Sequence, residues 1–339
     1  MTRTSLLIKR SLKTAASVTK AHLGFPPSAS GQVNIIAYHR VVRDIAKAER
    51  DAIYGIVIST ATFRRHCEML KRAFDVVSLE TAKHFLSDNC RVARPLAVIT
   101  FDDGYRDFYD EAFPVLRDLA LPATVFVPTG YIGKKTPLAH DRIFWLLKQA
   151  FEKSVPIIPA LQRAGLSDAS IMSGKLLKLT DSIVYLPYEL RETVIGELRR
   201  EVGDKFEDYP EEQQLLNWDE IREMSAKGIS FGSHTVNHVV LPLEDESVIK
   251  AEIKASKREL EQNIDKDATS FAYPNGEYNQ NIKRVVAEAG YTVAVTTEKK
   301  VNQTGDDPYM LGRTSLCEES TRGIKGTYSP RIANLRLGV

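Results

Sequence analysis

Several things are scarce in this chain of 339 residues, and each scarcity removes an explanation. Cysteine occurs only at Cys67, Cys90 and Cys317, an odd number, far apart and with no CxxC pair. That argues against a disulfide framework and leaves three free thiols suited to a reducing compartment. No apolar run approaches the ~20 residues that span a bilayer. The net charge is only +2, which gives no general electrostatic case for nucleic acid as a partner. Positions 1–43 hold no Asp or Glu, while Arg3, Lys9, Arg10, Lys13 and Lys20 are present. Histidine is sparse as well: seven in the chain and none after His238.

The acid-free start bears on location. In LLIKRSLKTAASV, Lys and Arg interrupt the apolar residues before a signal-peptide core develops. Leu6, Leu7, Leu12 and Val18 fall near helical spacing, so residues 1–31 read as a basic helical segment. Such a helix either packs as a terminal helix or lies on an anionic membrane surface. The expectation is a cytoplasmic protein, with residues 1–20 offering peripheral contact to the inner membrane.

What is present is ordinary for a soluble α/β protein: 43% apolar residues and 27% charged. Short apolar runs alternate with helical patterns, which favours a mainly parallel sheet covered by helices. Strands are expected at 33–38, 56–58, 76–79, 96–101, 124–127, 229–233, 270–273, 292–296 and 309–313. FRRHCEMLKRAF reads as a helix after Ser59-Thr60, and AEIKASKRELEQNI as a helix with a solvated Glu/Lys face. Residues 134–217 break the alternation and read as a helical insertion within one domain spanning 32–330.

The chemistry concentrates at the ends of strands. LAVITFDDGY, residues 96–105, drives an apolar run into Asp102 and Asp103. Two adjacent carboxylates resist joint ionisation, so a nearby cation is expected. In FGSHTVNHVVL, His234 and His238 lie four apart, a spacing that on one helical turn places both imidazoles on one face. Two His and one carboxylate, with a position left for water, make a hydrolytic metal site. A third strand, in TSFAYPNGEY, ends in Pro274 and Gly276, a turn able to aim a backbone N–H at substrate.

Taken in order, TFDDGY, SHTVNH and FAYPNGEY resemble the three central motifs of the NodB-homology polysaccharide deacetylases, carbohydrate esterase family four. NIIAYHRV and LNWDEIREMSAKGISFGSHT agree with the flanks, and the resemblance covers about residues 33 to 315. It implies an α/β fold, a distorted (β/α) barrel, here with the helical insertion. It also implies a metal-dependent hydrolase, commonly with zinc, that removes N-acetyl groups from GlcNAc-containing glycans. Carried over, Asp102 is the general base, Asp103, His234 and His238 hold the metal, and the Tyr273 N–H helps bind the oxyanion.

The chain departs from that pattern in two places. The third motif carries no Arg to hold the catalytic Asp; Arg142 and Arg313 are the candidate replacements. The late Leu-x-His of many members, whose His protonates the leaving amine, is missing. His39, at the end of the first strand, is the preferred candidate for that acid, and His140 the second. Tyr105, Pro274, Asp141 and Arg142 are expected to contact substrate, with Tyr131 as a further cleft aromatic. Two rival readings remain: a glycan-binding protein without turnover, and an O-acetyl esterase, whose better leaving group needs less acid assistance.

Overall fold

A computed structural model describes residues 31–53, 55–88, 92–166, 176–203, 209–210, 213–323 and 326–337. The expectations placed on residues 1–20 and on Cys90 lie outside that set. Among the described residues no helix is long and apolar enough to cross a membrane. Cys67 and Cys317 are both free thiols.

Eleven strands are described: β1 (Gln32–Tyr38), β2 (Arg40–Val42), β3 (Val57–Ser59), β4 (Asp75–Val76), β5 (Leu96–Phe101), β6 (Thr124–Val127), β7 (Ser230–Ser233), β8 (Ser270–Ala272), β9 (Val293–Val295), β10 (Asn302–Gln303) and β11 (Thr314–Ser315). Six of them, β1, β5, β6, β7, β8 and β9, lie side by side in parallel. Strands covered on both faces read as continuous apolar runs, and all six residues of β5 are buried. Alternation then divides them. Val33, Ile35, Val98, Phe126, Ala272 and Val295 share one cluster, while Ile36, Tyr38, Ile99, Phe101, Val125 and Val127 belong to another.

The sheet curls until an irregular segment links its last strand to its first. Leu311 bridges Val295 on β9, and Thr314 and Ser315 pair with Ile36 and Ala37 on β1. The result is the distorted barrel. The strand expected at 309–313 is this seam, and its regular pairing starts only at Thr314. The physical reason lies at Gly312, whose N–H and C=O are met by the Asn302 side-chain amide at 2.8 and 2.9 Å instead of by a strand. A Cβ there would stand 2.7 Å from the Glu298 carbonyl.

Helix ends follow local chemistry. Ser59 caps the helix Thr60–Ala73 through the Thr62 N–H. Asn217 and Glu220 form a capping box that starts the helix Trp218–Ala226 leading into β7. Between β6 and β7 stand the helices Ala139–Glu152, Ile158–Arg163, Leu176–Val184 and Tyr188–Val202. They share a core that includes Ile143, Leu146, Leu161, Ile183, Val194 and Leu198. The helix Glu246–Ile264 has its expected solvated face, with Lys254, Arg258 and Gln262 exposed, but Glu252 is buried in a stripe with Ile249, Ile253, Ser256 and Leu260.

Candidate active site

The C-terminal ends of the parallel strands bring the motif residues together. Asp102 follows β5 with the same parity as Val98 and Thr100, so its side chain meets Arg313 from the seam. The guanidinium grips the carboxylate with two bonds, Nη1 to Oδ1 and Nη2 to Oδ2, each 2.7 Å. Two further donors go to the Thr296 carbonyl at 2.9 Å and to Thr100 Oγ1 at 3.2 Å. Burial alone would raise the Asp102 carboxyl, but the Arg313 charge and hydrogen bonds, helped by His234 and His39, hold it below its ordinary value. Of the two arginines considered for this place, Arg313 occupies it.

Strand alternation would send the next side chain away. A left-handed backbone at Asp103 (φ 72°) breaks that alternation, and Gly104 (φ 66°) continues the turn. At Gly104 a Cβ would come within 2.9 Å of Val127 Cγ1. Asp103 Oδ1 then faces His238 Nε2 at 3.2 Å and His234 Nε2 at 3.6 Å. Asp103, His234 and His238 are all buried, with one ligand atom from each within 4.8 Å of the others.

This trio fits a metal ion on four grounds. Asp103 Oδ1 is buried without a well-formed hydrogen bond. His234 Nδ1 lies 2.7 Å from the Ala272 carbonyl, which can only accept; Nδ1 therefore carries the proton and Nε2 keeps its lone pair for a ligand. Burial, with His238 beside it, lowers the His234 pKa to about 4, leaving a neutral imidazole at pH 7. Burial would raise the Asp103 carboxyl, but the His238, His140 and His39 rings hold it well below its usual range.

The histidine pair does not sit on a helical turn as its spacing suggested. Residues 234–238 form an irregular loop in which Thr235 (φ 65°) and His238 (φ 50°) are left-handed. The two rings stand nearly perpendicular, with centroids 4.7 Å apart.

Residues 91–294, 204 of the 339, match the polysaccharide deacetylase family model. The chain belongs to the polysaccharide deacetylase family. YxkH, a candidate polysaccharide deacetylase of Bacillus subtilis, is 21% identical over 78% of this chain and 68% of its own length. A poly-β-1,6-N-acetyl-D-glucosamine N-deacetylase of Staphylococcus epidermidis is 27% identical over 43% of this chain and half of its own length. Two solved structures share the fold. The Streptococcus pyogenes deacetylase PplD, in complex with acetate, matches with a TM-score of 0.57 at 20% identity, over 90% of this chain and all of its own. IcaB from Ammonifex degensii matches with a TM-score of 0.59 at 19% identity, over 91% and 98%.

Around the centre of this deacetylase, other expected residues take other places. The Tyr273 N–H donates to the Val295 carbonyl at 3.2 Å, because the β8–β9 ladder runs one residue past the strand. It is not available as the expected oxyanion donor. Pro274 follows it, buried, at the same strand end. The residues expected to touch sugar are instead engaged with one another. Tyr105 is fully buried, and its hydroxyl donates to Asp141 Oδ2 at 2.7 Å and lies 2.8 Å from His140 Nε2. Asp141 is also fully buried. Arg142 binds Glu192 with two bonds of 2.9 and 2.7 Å and reaches the Tyr131 hydroxyl at 3.3 Å.

Both candidate acids are near the centre. His39 follows β1, is half-buried, and is close enough to bear on the charges of Asp102 and Asp103. His140 packs edge-on against His238, with centroids 5.3 Å apart. Since Tyr105 gives its proton to Asp141, His140 Nε2 must donate to Tyr105. Burial pushes the His140 imidazole down from its ordinary value. The sequence reading missed Glu252, whose signal was a lone carboxylate on the apolar stripe of its helix.

Proposed function

We propose that this deacetylase is a metal-dependent amidohydrolase that removes N-acetyl groups from a GlcNAc-type sugar in a polysaccharide, oligosaccharide or lipid-linked glycan. The observation that carries the reading is the pairing of two neighbouring sites: a buried Asp103–His234–His238 trio with converging ligand atoms, and Asp102 fixed by Arg313. Two imidazole nitrogens and one carboxylate oxygen suit zinc best. A divalent ion bound there supplies Lewis-acid polarisation of the acetyl carbonyl and eases ionisation of water.

The chain's own groups handle the protons. Asp102, kept ionised and oriented by Arg313, accepts the proton of the attacking water as its oxygen bonds to the acetyl carbon. The C–N bond then breaks, and the amine leaving group needs a proton. His39 is the preferred donor, because the one His140 nitrogen with a known partner is committed to Tyr105. The products are acetate and a free sugar amine. A glycan substrate is supported by family membership and by the S. epidermidis relative named for poly-β-1,6-N-acetyl-D-glucosamine.

The test is acetate release from β-1,6- and β-1,4-linked GlcNAc oligosaccharides by chelator-stripped protein, with and without zinc. Zinc-dependent release, lost in Asp102→Asn and His234→Ala, is the expected result. Zinc uptake with no release from any N- or O-acetylated glycan would overturn it in favour of a binding protein. Release from O-acetyl sugars alone would replace the amide by an ester.

A further inference from the structure

The loop between the two metal-site histidines is strained and is gripped from opposite sides. Left-handed residues other than glycine, such as Thr235 and His238, carry backbone strain and persist only where the surroundings over-determine them. From the helix Glu246–Ile264, Glu252 Oε2 accepts the N–H groups of Val236 and Asn237 at 2.8 and 2.9 Å, and Oε1 accepts Asn237 Nδ2 at 2.7 Å. All four loop carbonyls from 235 to 238 are also met. The N–H groups of Thr129 and Gly130 reach the carbonyls of Thr235 and Val236 at 3.1 and 2.9 Å. Arg191 reaches those of Asn237 and His238 at 3.4 and 3.5 Å.

Arg191 stands on the insertion helix Tyr188–Val202 and is 1% exposed. Its polar contacts among the described residues are to carbonyls and not to a carboxylate, and its Nε is buried without a hydrogen-bond partner. A guanidinium buried in this way costs free energy that apolar packing would not. Its two bonds are long, so it is held by the attraction of a full charge for two carbonyl dipoles together with the Tyr188 ring, whose centroid is 5.7 Å away. Its own place is fixed. Neighbouring Glu192 binds Arg142, which reaches Tyr131, and the Tyr188 N–H donates to Glu244 Oε1 at 2.7 Å.

We propose that Arg191 is a positioning residue. From the helical insertion it holds the His238 carbonyl, opposite Glu252, and so sets the angle at which His238 presents Nε2 to the metal site. The inference rests on the metal-site reading above, and it gives the insertion a share in building that site.

The test is zinc affinity of the apo-protein, measured by competition with a chromophoric chelator and checked by the cobalt(II) spectrum. Arg191→Met should bind zinc about 10–100-fold more weakly, as loss of a ligand-orienting partner does. Excess zinc should restore its kcat, with KM unchanged. Arg191→Lys, which keeps the charge but not the fork, should fall between and carries the test if Arg191→Met does not fold. Arg163→Met, whose partners Glu197 and Glu201 both lie within the insertion, should bind zinc like the wild type. Unchanged affinity in Arg191→Met, or an equal loss in Arg163→Met, would overturn the inference and leave the metal site standing. No zinc uptake by the wild type would overturn both.

Discussion

On the Asp102 side of the site, the carboxylate directly follows a regular strand, and its hydrogen-bond partner Arg313 comes from the seam that links the sheet's last strand to its first. On the Asp103 side, three left-handed residues, Asp103, Thr235 and His238, turn the chain so that ligand atoms converge. The two tasks differ in what they demand. A base needs a fixed ionisation state, and one bidentate ion pair in a buried place supplies it. A metal site needs three lone pairs aimed at one point, and irregular backbone held from several sides supplies that. Two adjacent residues of one type thus face different partners, an arginine on one side and two histidines on the other, as the proposed division of roles requires.

Arg313→Met should break the Asp102 side most severely. It leaves a buried carboxylate without its counter-charge, at a cost of about 3–5 kcal/mol. The sign with pH follows from the direction of the shift. In the wild type the folded carboxyl lies below its unfolded value, so its stabilisation is present above that value and fades as pH falls through the folded pKa. In the variant, burial is opposed only by the smaller influence of His234 and His39, and the pKa rises. The acid limb of kcat/KM should therefore fail at higher pH than in the wild type, whereas the loss of stability should be largest at neutral pH and shrink as pH falls through the raised pKa. Thermal melts and rate profiles across the acid range check this, and an unmoved acid limb would show that Arg313 does not set the state of Asp102.

His39→Gln belongs to neither carboxylate directly and should separate proton donation from metal binding. Acetate release from an N-acetyl sugar should fall by about 10²–10⁴-fold with zinc uptake unchanged. An O-acetyl ester should lose less, since an alkoxide leaves more readily than an amide anion. A larger loss in His140→Gln would move the acid to the insertion. Tyr105→Phe should be milder. It strips the buried Asp141 Oδ2 of its donor, at about 1–3 kcal/mol of stability, and leaves zinc affinity alone. Arg64→Ala, which removes an exposed ion pair with Asp118, sets the floor: no more than about 1 kcal/mol by thermal melt and no effect on either side of the site.

How much of this could be read in the sequence depends on distance along the chain. β5 and β6 are found at their expected bounds, because short apolar runs end at turn residues. Asp102, Asp103, His234 and His238 were legible because each pair lies within a few residues. Arg313 is not singled out from Arg142 by the sequence: it is 211 residues from Asp102 and sits in a stretch that pairs like neither helix nor strand. The histidine spacing suggested a helix because four residues make one turn, yet a left-handed loop meets the same need. The Tyr273 N–H was misread because sequence does not show where a ladder stops. Glu252 was hidden by the Glu and Lys around it, which made an inward carboxylate look like part of a solvated face.

The division of labour between the adjacent carboxylates is tested most directly by measuring zinc content and acetate release together in Asp102→Asn and Asp103→Asn. Asp102→Asn should hold zinc like the wild type and release almost no acetate, while Asp103→Asn should lose the zinc itself. Loss of zinc in both variants, or sustained turnover in Asp102→Asn, would contradict the assignment of one carboxylate to the proton and the other to the metal.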